Sequence, residues 1–433
     1  MTDNSALSRR AFARLAAGAA LSVPIIGASA GLAEAADPAR TIVGPKGAWC
    51  WFGDPRAVHY QGTYKRTYIG YINSLGEIVV AQYDHTTNQL TRTVVQTGFQ
   101  IDDHNNPCLV IRPDRRVVLF WTGHNQTAGI FYRRSSRPED ISSFESVKKI
   151  TTNVDGGSGT SYTHGLQLST EPWKLYLFFR GANFKPCFTT TTGSDIWTPA
   201  KTMISAGDGH RPYFKTASNG VDKIHFAFTN GHPRDYHNNI YYMYYSSVDK
   251  NLHKADGTVI GPWGTTIRPD QGDLVYDATN RPKAWIHDVA EGKDGKPVLV
   301  YANFPTNSDH RYRYARWTGT SWFDTEIVAA GPTISGDLYE NNYSGGITLD
   351  DSDPSVVLLS RQVTGGRHEI ERWRTANGGV SWTSEAITSG STVLNVRPVK
   401  PVGMTENGPM SVLWMRGEYP SYTNWKTDIM GVS

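Results

Sequence analysis

The sequence predicts an all-β protein, a seven-bladed β-propeller, on three observations. Apolar positions alternate with polar ones and helical periodicity is missing after the first thirty-odd residues. A unit of about fifty to sixty residues recurs, a spacing that marks propeller and solenoid arrays. The last unit is too short to hold a complete sheet, so the chain has to close on itself.

The units start near residues 42, 103, 161, 209, 284, 338 and 397. Each carries a strand rich in aromatic and β-branched residues. These strands are Thr67 to Tyr71, Val117 to Trp121, Leu175 to Arg180, Ile224 to Phe228, Val298 to Tyr301, Val356 to Leu359 and Val412 to Trp414. The outer strand missing from the seventh unit is expected to come from the segment near residue 42. That closure removes the sheet edges an open array would expose. No Pro- or Ser-rich linker divides the chain, so one propeller is expected over residues 36–433.

The first 35 residues read as a targeting leader. Ser8-Arg9-Arg10-Ala11-Phe12 precedes a small, apolar stretch, and Ala33-Glu34-Ala35 offers an A-x-A cleavage pattern. Paired arginines in that position are the twin-arginine export signal of bacteria, so a secreted protein is expected. No later segment is long and apolar enough to span a bilayer. Without the leader the formal charge falls from +3 to +2 and no basic run remains, which argues against a nucleic-acid backbone as partner. An anionic ligand must then be held by local charges, and a monomer is expected. Cys50, Cys108 and Cys187 are too few for a disulfide scaffold, lack metal-ligand spacing, and read as buried thiols.

The densest group of reactive residues is Asp102-Asp103-His104-Asn105-Asn106, followed after one strand pair by Gly123-His124-Asn125. One group precedes a strand and the other follows the next, so an antiparallel hairpin brings both imidazoles to one rim. Histidine takes or gives a proton near neutral pH. The third unit repeats the placement with Tyr162-Thr163-His164 and Arg180-Gly181, and Arg180 suits a carboxylate ligand. The fourth repeats it with His210-Arg211-Pro212-Tyr213 and Gly231-His232-Pro233-Arg234. Chemistry is therefore expected over units two to four. Later units supply Trp285, His287, Asn303, Tyr343 and Arg416 as subsite linings. Asp102 and Asp103 are adjacent, so on a strand their side chains would diverge, which argues against an acid/base couple.

Thr375-Ala376-Asn377-Gly378-Gly379-Val380-Ser381-Trp382 resembles the Asp-box turn of sialidase-like propellers, with Asn in place of Asp, and is read as structural. The run from Asp102 to Asn125, with Phe179-Arg180-Gly181 and Gly231-His232-Pro233-Arg234, resembles the BNR-repeat propellers that include ulvan lyases of polysaccharide lyase families 24 and 25. The resemblance implies β-elimination at a uronate in a rhamnose–uronate polymer. In it His104 and His124 match a histidine pair, Tyr162 a catalytic tyrosine and Arg180 a carboxylate-neutralising arginine. Tyr213 and His232 match further substrate contacts. Asn105, Asn125 and Arg211 are added as substrate-binding candidates from their place on the rim. No cofactor is required for such chemistry, and the family leaves room for a structural calcium or zinc. Two other classes stay open: a sialidase-like glycoside hydrolase, which needs paired carboxylates or a Tyr/Glu nucleophile with an arginine cluster, and a non-catalytic sugar-binding propeller.

Overall fold

A computed structural model describes residues 40–125, 129–151, 159–181, 183–207 and 209–433. The leader lies outside the described residues. Seven antiparallel sheets account for the strands, each one blade. Their innermost strands are Ala57–Gln61, Cys108–Ile111, Ser161–Leu168, Phe214–Ser218, Ala284–Glu291, Ile347–Leu349 and Leu394–Val399, here the inner strands of blades 1 to 7. Inner strands of consecutive blades touch one another around a central axis. A bridge between Val58 and Val402 joins the seventh to the first.

The predicted closure is present. Arg40–Gly44 pairs antiparallel with Asn424–Val432 as the outermost strand of blade 7. Val43 is fully buried there, and Arg92 of blade 1 donates to the Val43 and Ile42 carbonyls at 2.6 Å each. The ring is thus latched from both sides. Between the blades lies a large apolar cluster in which Trp49, Trp121 and Trp285 are fully buried, and Trp414 is fully buried in a smaller cluster of blades 6 and 7.

The Asp-box segment forms the hairpin between His368–Arg374 and Thr383–Ala386. Asn377 Oδ1 accepts from the Ser381 amide at 2.9 Å, and the Gly379 amide donates to Thr375 Oγ1 at 2.8 Å. Gly378 and Gly379 take φ of 69° and 99°, a region favouring glycine. Trp382 packs edge-on against Tyr314 of blade 5, so the turn ties two blades together.

At one end of the axis the connection into blade 1 turns inward. Trp51 packs on Trp285, His287 and Tyr343 from blades 5 and 6, with centroids 5.0, 5.4 and 5.0 Å away. Phe52 meets Tyr162 and Tyr213 from blades 3 and 4 at 5.4 and 4.8 Å. These two rings fill the axis between the blades. Beneath them Asp54 pairs with Arg56 at 2.9 Å and with the Lys215 ammonium. A separate cavity of about 320 Å³, lined by later residues of the inner strands, occupies the opposite half of the axis. Asn251–His253 and Val259–Pro262 extend the outer edge of blade 4. Among the described residues no helix is long and apolar enough to cross a membrane.

Candidate active site

The first group of site residues lies in a turn. Asp102 caps a single 3-10 turn, Asp103–Asn105, that leads into the inner strand of blade 2. The cap aims its carboxylate back at the residue it precedes. Asp102 Oδ1 accepts from the His104 amide at 2.9 Å and from His104 Nδ1 at 2.6 Å. Its second oxygen lies 2.7 Å from Nδ1 of His124, which follows the next strand, Val117–Trp121. The two imidazoles stack with centroids 4.0 Å apart and planes 6° from parallel. The hairpin argument therefore holds, and one carboxylate organises both rings.

The expected divergence of Asp102 and Asp103 does not occur, because the pair sits in a turn and strand alternation does not apply. Asp103 Oδ1 also lies 3.1 Å from His104 Nδ1. Its other oxygen is engaged by Arg397 Nη1 and the Tyr419 hydroxyl, all fully or almost fully buried. Asp102 thus serves the histidines, while Asp103 anchors the turn to blade 7.

Blade 3 supplies the next two residues. Tyr162 occupies a bulge in Ser161–Leu168, where the register slips between Ser161 and Thr163, and its φ is 56°. A bulge re-aims a side chain, and a left-handed tyrosine stores roughly 1–3 kcal/mol of strain that the surrounding packing must hold. The ring is directed at the site: it lies 5.3 Å from His104, and the Arg180 guanidinium stands 4.7 Å over its face. Arg180 is the last residue but one of the partner strand, Glu171–Gly181, opposite Ser161. It donates to Tyr213 OH at 2.8 Å, and to Asn125 Oδ1 and Ser161 Oγ at 3.1 Å each. The side chain is 4% exposed, and among the described residues its partners are all uncharged and Nε has none. Removing a guanidinium from water costs several kcal/mol unless an anion offsets it.

Blade 4 brings Tyr213 and His232 together, with ring centroids 5.3 Å apart. His232 Nδ1 accepts from the Arg234 amide at 3.0 Å, which fixes the neutral ring with its proton on Nε2. Arg211 lies over the Phe184 ring at 4.3 Å, on the side of Arg180. Asn125, at φ 57°, is a hydrogen-bond partner of Arg180. Asn105 is not brought to the opening: it is fully buried and donates to the Gln100 carbonyl at 2.9 Å, bracing the turn.

Tyr343, expected as a subsite lining, joins this cluster, and Tyr422 joins it without having been singled out from sequence. Tyr343 places its hydroxyl 3.4 Å from His104 Nε2. Tyr422 packs edge-on against both imidazoles, at 4.9 and 5.7 Å, while its carbonyl accepts from the Asp103 amide at 2.8 Å. It follows the strand Leu413–Ser421, in the turn before Asn424–Val432.

The charges divide accordingly. Burial alone would lower the His104 pKa, but Asp102 and Asp103 hold it well above the ordinary histidine value. Burial and the adjacent His104 charge lower His124 to about 4, against the pull of Asp102. Two like charges 4 Å apart repel by about 4 kcal/mol at an effective dielectric of about 20, so the stack favours one proton on the pair beyond the two Nδ1 hydrogens. Burial pushes the Asp102 carboxyl up, yet the two histidines bring it well below its usual range. Burial, reinforced by Tyr213, raises Tyr162 well above an ordinary phenol despite Arg180. Burial, then Arg234, Arg180, Arg211 and Lys283, press His232 well below its ordinary value.

The sequence profile of the BNR repeat-containing family matches residues 66–330, more than half of the chain. The chain belongs to the BNR repeat-containing family. No curated protein sequence matches it. Among solved structures, this BNR-repeat propeller is similar to an ulvan lyase of polysaccharide lyase family 25, with TM-score 0.70 and 14% identity over 90% of this chain and 95% of the other. It is similar to the same type of lyase bound to -[GlcA(1-4)Rha3S]-, with TM-score 0.69 and the same identity and coverage. A Niastella koreensis GH74 enzyme matches with TM-score 0.47 and 12% identity over 88% of this chain and 56% of the other.

Metal ligation was tested on the BNR-repeat site itself. Among the described residues, Cys50 with Asp103 and His104, and Asp102 with His104 and His124, are the groups whose donor atoms converge. In both sets the Nδ1 atoms and the carboxylates already have partners. Both Nδ1 atoms face Asp102, Asp103 is held by Arg397 and Tyr419, and burial raises the Cys50 thiol. Cys108 and Cys187 are also free and buried, and burial pushes both up to about 12. These donor sets fit a hydrogen-bonded acid/base cluster and not a resident metal.

Proposed function

We propose that this BNR-repeat propeller cleaves an acidic polysaccharide, a rhamnose–uronate polymer of the ulvan type, by β-elimination at the uronate. The observation that carries the reading is Arg180, a buried guanidinium with an unpartnered Nε and uncharged partners beside a histidine pair and a tyrosine. An anion docked there supplies the missing countercharge. A uronate carboxylate is that anion, and its neutralisation acidifies the adjacent C5–H by stabilising the enolate-like intermediate. A bare imidazole Nε2 then takes the C5 proton. Tyr162, which keeps its proton at neutral pH, donates it to O4 as the C4–O4 bond breaks and C4=C5 forms. The products are a new chain end bearing O4–H and an unsaturated uronate. The likeness to the family 25 lyases supports the fold, and the cluster supports the chemistry.

The BNR-repeat protein is also proposed to be exported through its paired arginines, as the leader sequence implies.

The deciding experiment incubates the mature protein with ulvan, other rhamnose–glucuronate polymers and an uncharged polysaccharide, following ultraviolet absorbance of the conjugated uronate together with reducing ends. Both signals rising together on a uronate polymer is the expected result. Reducing ends without the absorbance overturn elimination in favour of hydrolysis. Binding without either signal favours a sugar-binding propeller.

A further inference from the structure

One carboxylate, Asp102, is shared by two imidazoles that stack face to face. Its Oδ1 takes the His104 amide and His104 Nδ1 at 2.9 and 2.6 Å, and its Oδ2 takes His124 Nδ1 at 2.7 Å. An ionised carboxylate only accepts, so both rings must carry hydrogen on Nδ1. Both Nε2 atoms are thereby left to the site, bare on a neutral ring and proton-bearing on a charged one. The two rings are not equivalent. His104 Nδ1 also faces Asp103 Oδ1 at 3.1 Å, so two carboxylates surround it, whereas His124 has one. His104 is the more buried, at 4% side-chain exposure against 14% for His124.

The groups facing the pair from other elements follow the same division. Around His104 stand Cys50, Tyr162, Tyr343, Tyr422 and, more distantly, Glu340. Arg397 holds the second oxygen of Asp103. Around His124 stand Tyr422, the His104 ring and the Arg180 cation. An extra proton is therefore favoured on His104 and opposed on His124.

We propose that Asp102 is the positioning residue of the site: it locks both imidazoles as Nδ1–H, places the pair's single extra proton on His104, and so leaves His124 Nε2 as the free base. This rests on the elimination reading for its consequence, but the tautomers are a property of the protein alone. His104, charged, keeps Nε2–H toward the substrate and Tyr343, where it adds to the positive field of Arg180. Asp102 touches neither substrate nor reacting atom and acts only through the two rings.

The test is ¹⁵N-histidine NMR of the whole protein near neutral pH. The two rings are assigned by the signals lost in His104→Gln and His124→Gln. The expected wild-type result is a doubly protonated His104 and a neutral His124 with hydrogen on Nδ1. In Asp102→Asn the amide accepts from one ring and can only donate to the other, so one tautomer must invert. In that variant kcat on a uronate polymer should fall by about 10²- to 10⁴-fold, the range of lost acid/base catalysis. KM should stay close to wild type and the acid limb of the kcat/KM profile should move.

Hydrogen on Nε2 of neutral His124, or equal charge on the two rings, in the wild-type spectrum overturns the proposal. An Asp102→Asn protein that loses melting temperature and activity together while keeping the wild-type pH profile also overturns it, because that is the signature of a merely structural role. If the wild-type tautomers are as stated but no unsaturated uronate is released from any polymer, elimination alone is rejected.

Discussion

His104 and His124 lie 4.0 Å apart with their planes 6° from parallel, and each directs Nδ1 at a different oxygen of the same aspartate. Two neighbouring imidazoles without that carboxylate would exchange tautomers independently. With it, one ring is prepared as a cation and the other as a base, which is the starting state an elimination needs.

Arg180 carries the uronate reading, so its removal is the first prediction. Arg180→Ala should lower kcat/KM on a uronate polymer by about 10²–10³-fold or more, the size of a lost oxyanion contact. Steady-state kinetics with a melting curve checks it. The melting temperature should change little or rise, because the variant removes a buried cation whose partners are all uncharged. Near-normal turnover removes Arg180 from the mechanism.

Adjacent carboxylates should give different phenotypes. Asp103→Ala leaves the fully buried Arg397 without its anion, and breaking such a pair costs about 3–5 kcal/mol. Urea unfolding should show that loss, whereas Asp102→Asn should lie far nearer wild type in stability.

The fold should be labile to mild acid. His124, His310 and His368 are lowered to about 4 and His164 to about 3, burial being the leading cause in each. Their unfolded pKa is about 6.5. As pH falls below 6.5 the unfolded chain takes up protons that the folded chain refuses, so stability is lost down to the folded pKa. The slope is about 1.4 kcal/mol per pH unit for each histidine. His104, whose pKa is raised, gains its stability above this window, as pH falls from its folded pKa to about 6.5, and contributes no further slope below it. Urea midpoints measured between pH about 7 and about 4.5 should fall steeply. A flat profile rejects the neutral buried histidines.

The latch strand should be needed for a soluble ring. Deleting residues 40–44 removes buried Val43 and two hydrogen bonds from Arg92, and bares the edge of Asn424–Val432. A loss of roughly 3–5 kcal/mol is expected from the buried area and bonds, with concentration-dependent association through the open edge. Thermal melting and light scattering check both.

Replacing Arg9 and Arg10 together by lysine should hold the protein inside an expressing bacterium, read by fractionation.

Much of this molecule was legible because a propeller turns sequence order into position. Once strands were paired, His104, His124, Arg180 and His232 had to fall at one end of neighbouring blades, and they do. Strand ends were less legible. The apolar run Val412 to Trp414 marks only the start of Leu413–Ser421, so it does not point to Tyr422, which follows that strand in blade 7 as His124 follows Val117–Trp121 in blade 2. Strand alternation does not govern Asp102, because it caps a turn. Trp51 and Phe52 could not be foreseen at the centre, since their neighbours Trp285 and Tyr343 are more than two hundred residues away and come from other blades. Pairings of that range leave no local period in a sequence.

Trp51 and Phe52 also decide how a long chain can meet this protein. With two aromatic rings across the axis, nothing can be threaded through the ring and nothing need be fed in by its tip. A polymer has to drape over one face. Under the proposed elimination, scission at interior positions is expected, seen as a collapse in viscosity long before small fragments accumulate.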